Sequence, residues 1–332
     1  MSVSLLPGFA QLLVLSCPAA CLETQSPTGK GVVEAPGRLA EAGVRPPQAG
    51  AGGDALAEAR EHFAEARTAH GEKDFPRARG SVARAVEVLL GGSAGELSIE
   101  ADELLFELGV FAFEAGELQA AKRATTRVLE HRTAMLPGDH LALQSARGNL
   151  AVMIWALGDL AGARTLLEAQ VEVLSRTVPA DHPDLLAARG NLAIARKDLG
   201  DLEGARQLES EVLEILSCTL PDDHPHLQTA RGNLAVTLKE LGDLADARAL
   251  EEEVLAVRSR TLPDDHHHLQ AARGNLGSTL KSLGEFAAAH ALFARAFEVS
   301  SRTRPDDHPE LQTARTNLAV VLKALGDVAG AR

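Results

Sequence analysis

Residues 221–262 read PDDHPHLQTARGNLAVTLKELGDLADARALEEEVLAVRSRTL, and the same frame recurs on both sides of them. Pro-x-Asp-His begins at Pro137, Pro179, Pro221, Pro263 and Pro305, each 42 residues after the last. Eleven residues beyond each Pro stands Gly148-Asn149-Leu150, Gly190-Asn191-Leu192, Gly232-Asn233-Leu234 or Gly274-Asn275-Leu276, with Thr316-Asn317-Leu318 in the last copy. Leu-Gly-Asp follows at Leu157, Leu199, Leu241 and Leu325, and Leu283-Gly284-Glu285 is the variant. Ala163, Ala205, Ala247, Ala289 and Ala331 complete the frame. A fixed period of this length is the signature of a repeat array, in which each unit is one supersecondary element buried by its neighbours.

Each unit reads as two helices, predicted over His224–Leu241 and Leu244–Arg260 in the copy quoted. Asp or His can cap the first-turn N–H groups, and Pro fits the first helical position because its missing N–H is not needed there. Gly242 ends the first helix, since a left-handed residue costs Gly no Cβ clash. Leu234, Leu238 and Leu241 form an apolar stripe at helical spacing, continued by Leu244, Ala247, Leu250, Val254 and Leu255. The expected fold is therefore all-α, a right-handed superhelical solenoid of antiparallel helix pairs. Residues 98–136 keep Gly116-Glu117-Leu118 and Ala121 in register, and residues 54–92 keep Gly71, Phe75 and Ala78. These two degenerate pairs, 54–136, precede five regular units over 137–332. Arg332 falls at the start of the last unit's second helix, so that pair is incomplete, and either the chain is a fragment or a partner, or self-association, covers its apolar face.

Composition narrows the function classes. Apolar residues make up 45% but aromatics only 3%, with no Tyr, so core volume must come from Leu, Val and Ala. The net charge is −13, and acids and bases cancel over residues 1–53, so the repeat body carries the excess. That argues against sequence-independent nucleic-acid binding, which needs basic surface to displace counterions, and against docking on anionic lipid. Residues 22–53 are rich in Pro, Gly and Ala and read, with the residues before them, as a disordered leader over 1–53. Within it, 1–21 is weakly signal-like, but no Lys or Arg precedes Lys30 and Pro7 and Gly8 break the apolar run. The expected location is cytoplasmic, with export or lipoprotein anchoring as the alternative. Cys17 and Cys21 lack a matching pair at zinc spacing, and Cys218 reads as a small buried helix residue.

The unit with Asp-His-Pro, Asn-Leu-Ala, Leu-Gly-Asp and a following Ala resembles the tetratricopeptide repeats of kinesin light chains, over roughly residues 98–332. The resemblance implies a peptide-binding adaptor that holds extended segments on the concave face of its superhelix, and no enzyme. Two consecutive Asn usually precede Leu-Ala in that family, and here Gly replaces the first. Residues 1–97 lack the sustained heptads of a coiled coil, so motor binding is not implied. The aromatic expected in the second helix survives as Phe293 and is Glu209 and Glu251 in two other copies.

The candidate binding residues follow from that face. Asn149, Asn191, Asn233, Asn275 and Asn317 form a ladder, and a primary amide both donates and accepts, so it can grip a peptide backbone whatever the side chain. The competing reading is that each Asn only fixes the packing of neighbouring helices. Residues at −4, +3 and +7 from each Asn share its face, among them Val152, Asp198, Val236, Glu240 and Ser278. Lys197, Lys239, Lys281 and Lys323 recur near the end of the first helix, where they hint at an acidic peptide or simply complement the helix dipole. Trp155 takes that position in the first regular unit and either anchors an apolar side chain or shields the less regular end. Arg147, Arg189, Arg231, Arg273 and Arg315 form a further ladder, expected to pair with acids of adjacent units. Asp264-Asp265-His266-His267-His268 invites a metal or catalytic reading, but the Asp-His pair occurs five times at a helix start, whereas a catalytic site needs one arrangement. No cofactor, catalytic residue or metal site is expected. The second functional reading is a sensor or regulatory module of a larger effector.

Overall fold

The computed structural model describes residues 53–91 and 97–326. The predicted leader and residues 327–332, where the last unit's second helix is predicted to start, lie outside the described residues. These divide between Leu199 and Gly200 into two compact units, and every described element is a helix. The first unit holds α1 (Gly53–Gly71), α2 (Phe75–Gly91), α3 (Ile99–Glu114), α4 (Leu118–Met135), α5 (Leu141–Ala156), α6 (Leu160–Thr177) and α7 (Pro183–Asp198). The second holds α8 (Leu202–Thr219), α9 (Pro225–Leu241), α10 (Leu244–Thr261), α11 (His267–Ser282), α12 (Phe286–Thr303) and α13 (Pro309–Ala324). Within each unit consecutive helices pack on one another, and first helices also touch the first helices before and after them.

The predicted boundaries of the 221–262 copy hold to within a residue, and the caps explain why. Each regular first helix starts at a His whose Nδ1 accepts from the backbone N–H two residues on. The distances are 3.1 Å for His140 and 3.2 Å for His182, His224, His266 and His308. Histidine, and not the Asp before it, is the N-cap. Asp caps second helices instead, with Asp159 accepting from Gly162 N and Asp201 from Gly204 N at 2.9 and 3.0 Å. Gly158, Gly200, Gly242, Gly284 and Gly326 all take the left-handed conformation, φ between 80° and 94°. In the drifted first pair Gly71 remains helical, and Lys73 carries the positive φ of 62°.

A second device holds the loop between units. Gln144 Nε2 donates to Gly138 O at 2.7 Å, and Gln228 and Gln312 donate to Asp222 O and Asp306 O at 2.5 Å. Gln270 does the same to Asp264 O. The Arg ladder uses the same loop. Arg231, Arg273 and Arg315 pair with Asp222, Asp264 and Asp306 at 2.8, 2.5 and 2.8 Å. These acids belong to the same unit as their Arg, which corrects the expectation of pairing between adjacent units. The reason is local: the loop doubles back so that the residue after Pro lies beside the helix turn nine positions on. Where Gly138 replaces that Asp, Arg147 turns to Gln144 Oε1 at 2.8 Å instead.

Ala and Leu fill the interior as composition required, with Ala163, Ala205, Ala247 and Ala289 fully buried where paired helices meet. The single large aromatic in the second-helix column, Phe293, is 1% exposed and lies so close to Gly277 that a Cβ there would be 2.7 Å from its ring. Ala occupies the Gly277 position in the other regular units, and in three of them the residue in the place of Phe293 is the smaller Leu167, Glu209 or Glu251. In the first unit a polar network crosses the core. Asp102, fully buried in α3, accepts from Arg132 Nε at 2.8 Å and sits 2.8 Å from His131 Nδ1. Arg132 Nη1 donates to Ala142 O at 2.9 Å, and its guanidinium lies 4.6 Å from the Phe106 ring centroid.

Removing one partner of such a network leaves the other charge buried and bare. Asp102→Ala should therefore cost about 3–5 kcal/mol in urea unfolding of the full chain. A loss below about 1 kcal/mol would show that the network contributes little.

Candidate functional site

The Asn ladder does not behave uniformly. Asn149 and Asn191 in the first unit are 1% and 7% exposed, and both are engaged within the protein. Asn233, Asn275 and Asn317, on α9, α11 and α13, are half-buried, and no hydrogen bond from the described residues holds their amides. Neighbouring positions on the same face do not divide so cleanly: in the first unit Val152 is 1% exposed but Ile194 is half-buried and Asp198 exposed, and in the second Val236 and Ser278 are half-buried and Val320 is 47% exposed. Because α9 touches α11 and α11 touches α13, the second unit presents three amides on adjoining helices.

The other candidates are placed as follows. Lys197, Lys239 and Lys281 are half-buried and Lys323 is exposed. Trp155 is half-buried, and its Nε1 donates to Asp198 Oδ2 at 2.7 Å, so ring and carboxylate, both assigned to the candidate face, are joined in one contact between α5 and α7. Cys218 lies in a helix as expected, but on its exposed side rather than buried, because its position falls outside the apolar stripe of α8. The ring of His266 is committed to capping, and among the described residues no group of His, Cys, Asp and Glu is disposed to hold a metal ion. Nor is any described helix long and apolar enough to cross a membrane.

Two buried acids stand out beside this face, and their sequence signal was the missing aromatic. Glu209 and Glu251 are 4% and 3% exposed, in the column that holds buried Leu167 and Phe293 elsewhere. The following first helices change in step: Thr237 and Thr279, both fully buried, replace the Ala195 and Val321 found in the apolar copies. Thr279 lies beside the Glu251 carboxyl and Lys239 acts on it from α9, yet neither carboxyl oxygen has a hydrogen-bond partner among the described residues. Burial therefore raises the Glu251 pKa above 4.5, against the smaller opposing effects of Thr279 and Lys239.

A raised carboxyl pKa means that the fold binds this proton more tightly than the unfolded chain does. Its contribution to stability is greatest below pH 4.5 and is lost as pH rises through the folded pKa. Glu251→Leu, which copies Leu167, should stabilise the protein by about 1–4 kcal/mol at neutral pH. The gap between variant and parent should narrow toward pH 4.5 in thermal unfolding. A gap that is absent, or that widens on acidification, would contradict the assignment.

Comparison with known proteins agrees with this architecture. Family models described as tetratricopeptide repeat match residues 141–217, 227–268, 269–310 and 312–332. No curated protein sequence matches the chain. Among solved structures, the nearly identical repeats of a Podosopora anserina protein described as a kinesin light chain share 25% identity. That match has a TM-score of 0.55 and covers 61% of this chain and 97% of the other. BtubC from P. vanneervenii, at 19% identity and TM-score 0.54, covers 78% and 96%. The tetratricopeptide-repeat sensor protein PH0952 of Pyrococcus horikoshii, a signal transduction ATPase with numerous domains, shares 13% identity at a TM-score of 0.59, over 80% of this chain and 39% of that one. The last two likenesses carry the fold alone.

Proposed function

The chain belongs to the tetratricopeptide-repeat family, in its kinesin light chain-like form, and from this we propose that it is an interaction scaffold whose second unit holds an extended peptide across α9, α11 and α13. The observation that carries the reading is the contrast in burial within one ladder: Asn149 and Asn191 are 1% and 7% exposed, while Asn233, Asn275 and Asn317 are half-buried, with amides that no hydrogen bond from the described residues holds. A half-buried amide without a protein partner is suited to a ligand backbone, which offers one donor and one acceptor per residue. Packed helices lie about 8–10 Å apart, and an extended chain advances about 3.3 Å per residue, so one Asn per first helix matches about every third residue of a bound peptide. Lys239, Lys281 and Lys323 on the same three helices favour an acidic segment over a basic one.

The reading as a sensor arm of a larger effector has support only from the Pyrococcus horikoshii likeness, which at 13% identity carries no function. The scaffold reading makes no use of a catalytic group.

Peptides selected from a random library on the wild-type chain provide the test. The triple change Asn233→Ala, Asn275→Ala, Asn317→Ala should weaken them at least about tenfold by calorimetry, each amide contributing about 0.5–1.5 kcal/mol per hydrogen bond, with helicity unchanged. Asn149→Ala with Asn191→Ala should instead lower stability and spare the affinity. Selected peptides that bind both variants equally would remove the proposed face.

A further inference from the structure

Arg258 and Arg132 occupy the same place in the fold but differ in one respect. Both lie in the last turn of a second helix, 126 residues apart, and both donate from Nη1 to a carbonyl at the start of the next first helix. Arg132 reaches Ala142 O at 2.9 Å and Arg258 reaches His268 O at 3.0 Å, again 126 residues on. Arg132 is neutralised by the buried carboxylate of Asp102, at 2.8 Å. The residue 126 positions after Asp102 is Gln228, which is 3% exposed, uncharged and already donating to the Asp222 carbonyl. Arg258 is 8% exposed, and among the described residues no carboxylate pairs with it. Desolvation by burial holds its pKa down, with no acidic neighbour opposing that shift. The charge of a buried guanidinium requires a counter-ion, and here the fold supplies only the carboxyl end of α10.

Three imidazoles and the Arg304–Glu310 ion pair lie nearby. The rings of His266, His267 and His268 lie 4.0–5.3 Å from one another at the start of α11. Burial, then His267, Arg258 and His266, push the His268 pKa down to about 4. His267 is lowered by burial and by His266, Arg304 and Arg258, and only Glu310 opposes this, a carboxylate held by Arg304 Nε at 3.0 Å. In a chain of net charge −13, Arg258 is a buried guanidinium beside neutral imidazoles, with no carboxylate paired to it among the described residues. His267 is exposed and His268 half-buried, so solvent reaches the cluster.

We propose that Arg258, with His267 and His268, binds a free phosphate-class oxyanion, which replaces the internal counter-ion that Asp102 gives Arg132. The guanidinium is only 8% exposed, so the proposed ligand is a small anion rather than a polymer. The imidazoles, held neutral by burial and neighbouring positive charge, take up protons once a dianion sits beside them. The site is independent of the Asn face.

The test uses the full chain, inorganic phosphate and, at equal ionic strength, chloride. Phosphate should raise the melting temperature saturably and more than chloride does. It should also shift the His268 ring titration upward from about 4, read by NMR of the imidazole protons. Arg258→Leu, the residue found at the same position as Leu174 and Leu216, should abolish both responses. Gln228→Asp, which rebuilds the Asp102 arrangement, should abolish them while keeping Arg258. Equal effects of phosphate and chloride, or a phosphate response that survives Arg258→Leu, would overturn the site. If Gln228→Asp fails to fold, Arg258→Leu decides alone.

Discussion

One imidazole nitrogen per unit sets the register on which this protein is built. The His Nδ1 at the start of each regular first helix satisfies a backbone N–H that no earlier turn can reach, and so fixes where the helix begins. A left-handed Gly fixes where it ends, and a Gln from the helix's second turn ties down the loop before it in four of the five regular units. With both ends pinned, units of equal length stack in register and equivalent residues fall into columns. A helix pair cannot bury its apolar stripe alone, so these columns are where the energy of the array lies.

Columns also make the chain its own control. Phe293 is accommodated because Gly277 removes a Cβ that Ala supplies elsewhere. Glu251 enters the same column at the cost of desolvating a carboxyl, and Thr279 changes with it. Arg132 has its counter-ion in Asp102, while for Arg258, in the same column, the position of Asp102 is taken by the uncharged Gln228. In each case a residue that breaks its column is matched or left unmatched by one partner, and the unmatched cases mark groups whose service to the fold is incomplete.

Most of the fold could be read from the sequence because caps, turns and apolar stripes are local. Pro-x-Asp-His, Leu-Gly-Asp and the Leu stripe placed α9 and α10 within a residue. Those signals say nothing about how deeply a given column is covered, which depends on side chains from other helices. Asn149 and Asn233 sit in identical local sequence, Arg-Gly-Asn-Leu-Ala-Val, yet one is buried and the other half-exposed. The same limit explains Cys218, whose exposure follows from the face of α8 it occupies, and the Arg ladder, whose partners depend on a loop's return path. Arg258 had a sequence signal only as a break in a column that also holds Leu174 and Leu216, and its bareness emerges from comparison with Arg132.

One ladder of asparagines divides into a buried part and a half-buried part. In the first unit the Asn side chains are buried. In the second unit they are half-buried, with a lysine on each of the same helices, and the proposed peptide binding depends on that difference. The most direct test is hydrogen exchange of the five Asn side-chain amides in the ligand-free protein, followed by NMR. The account predicts slow exchange at Asn149 and Asn191 and fast exchange at Asn233, Asn275 and Asn317. Equal protection at all five would mean that the ladder is spent on packing throughout, and would contradict it.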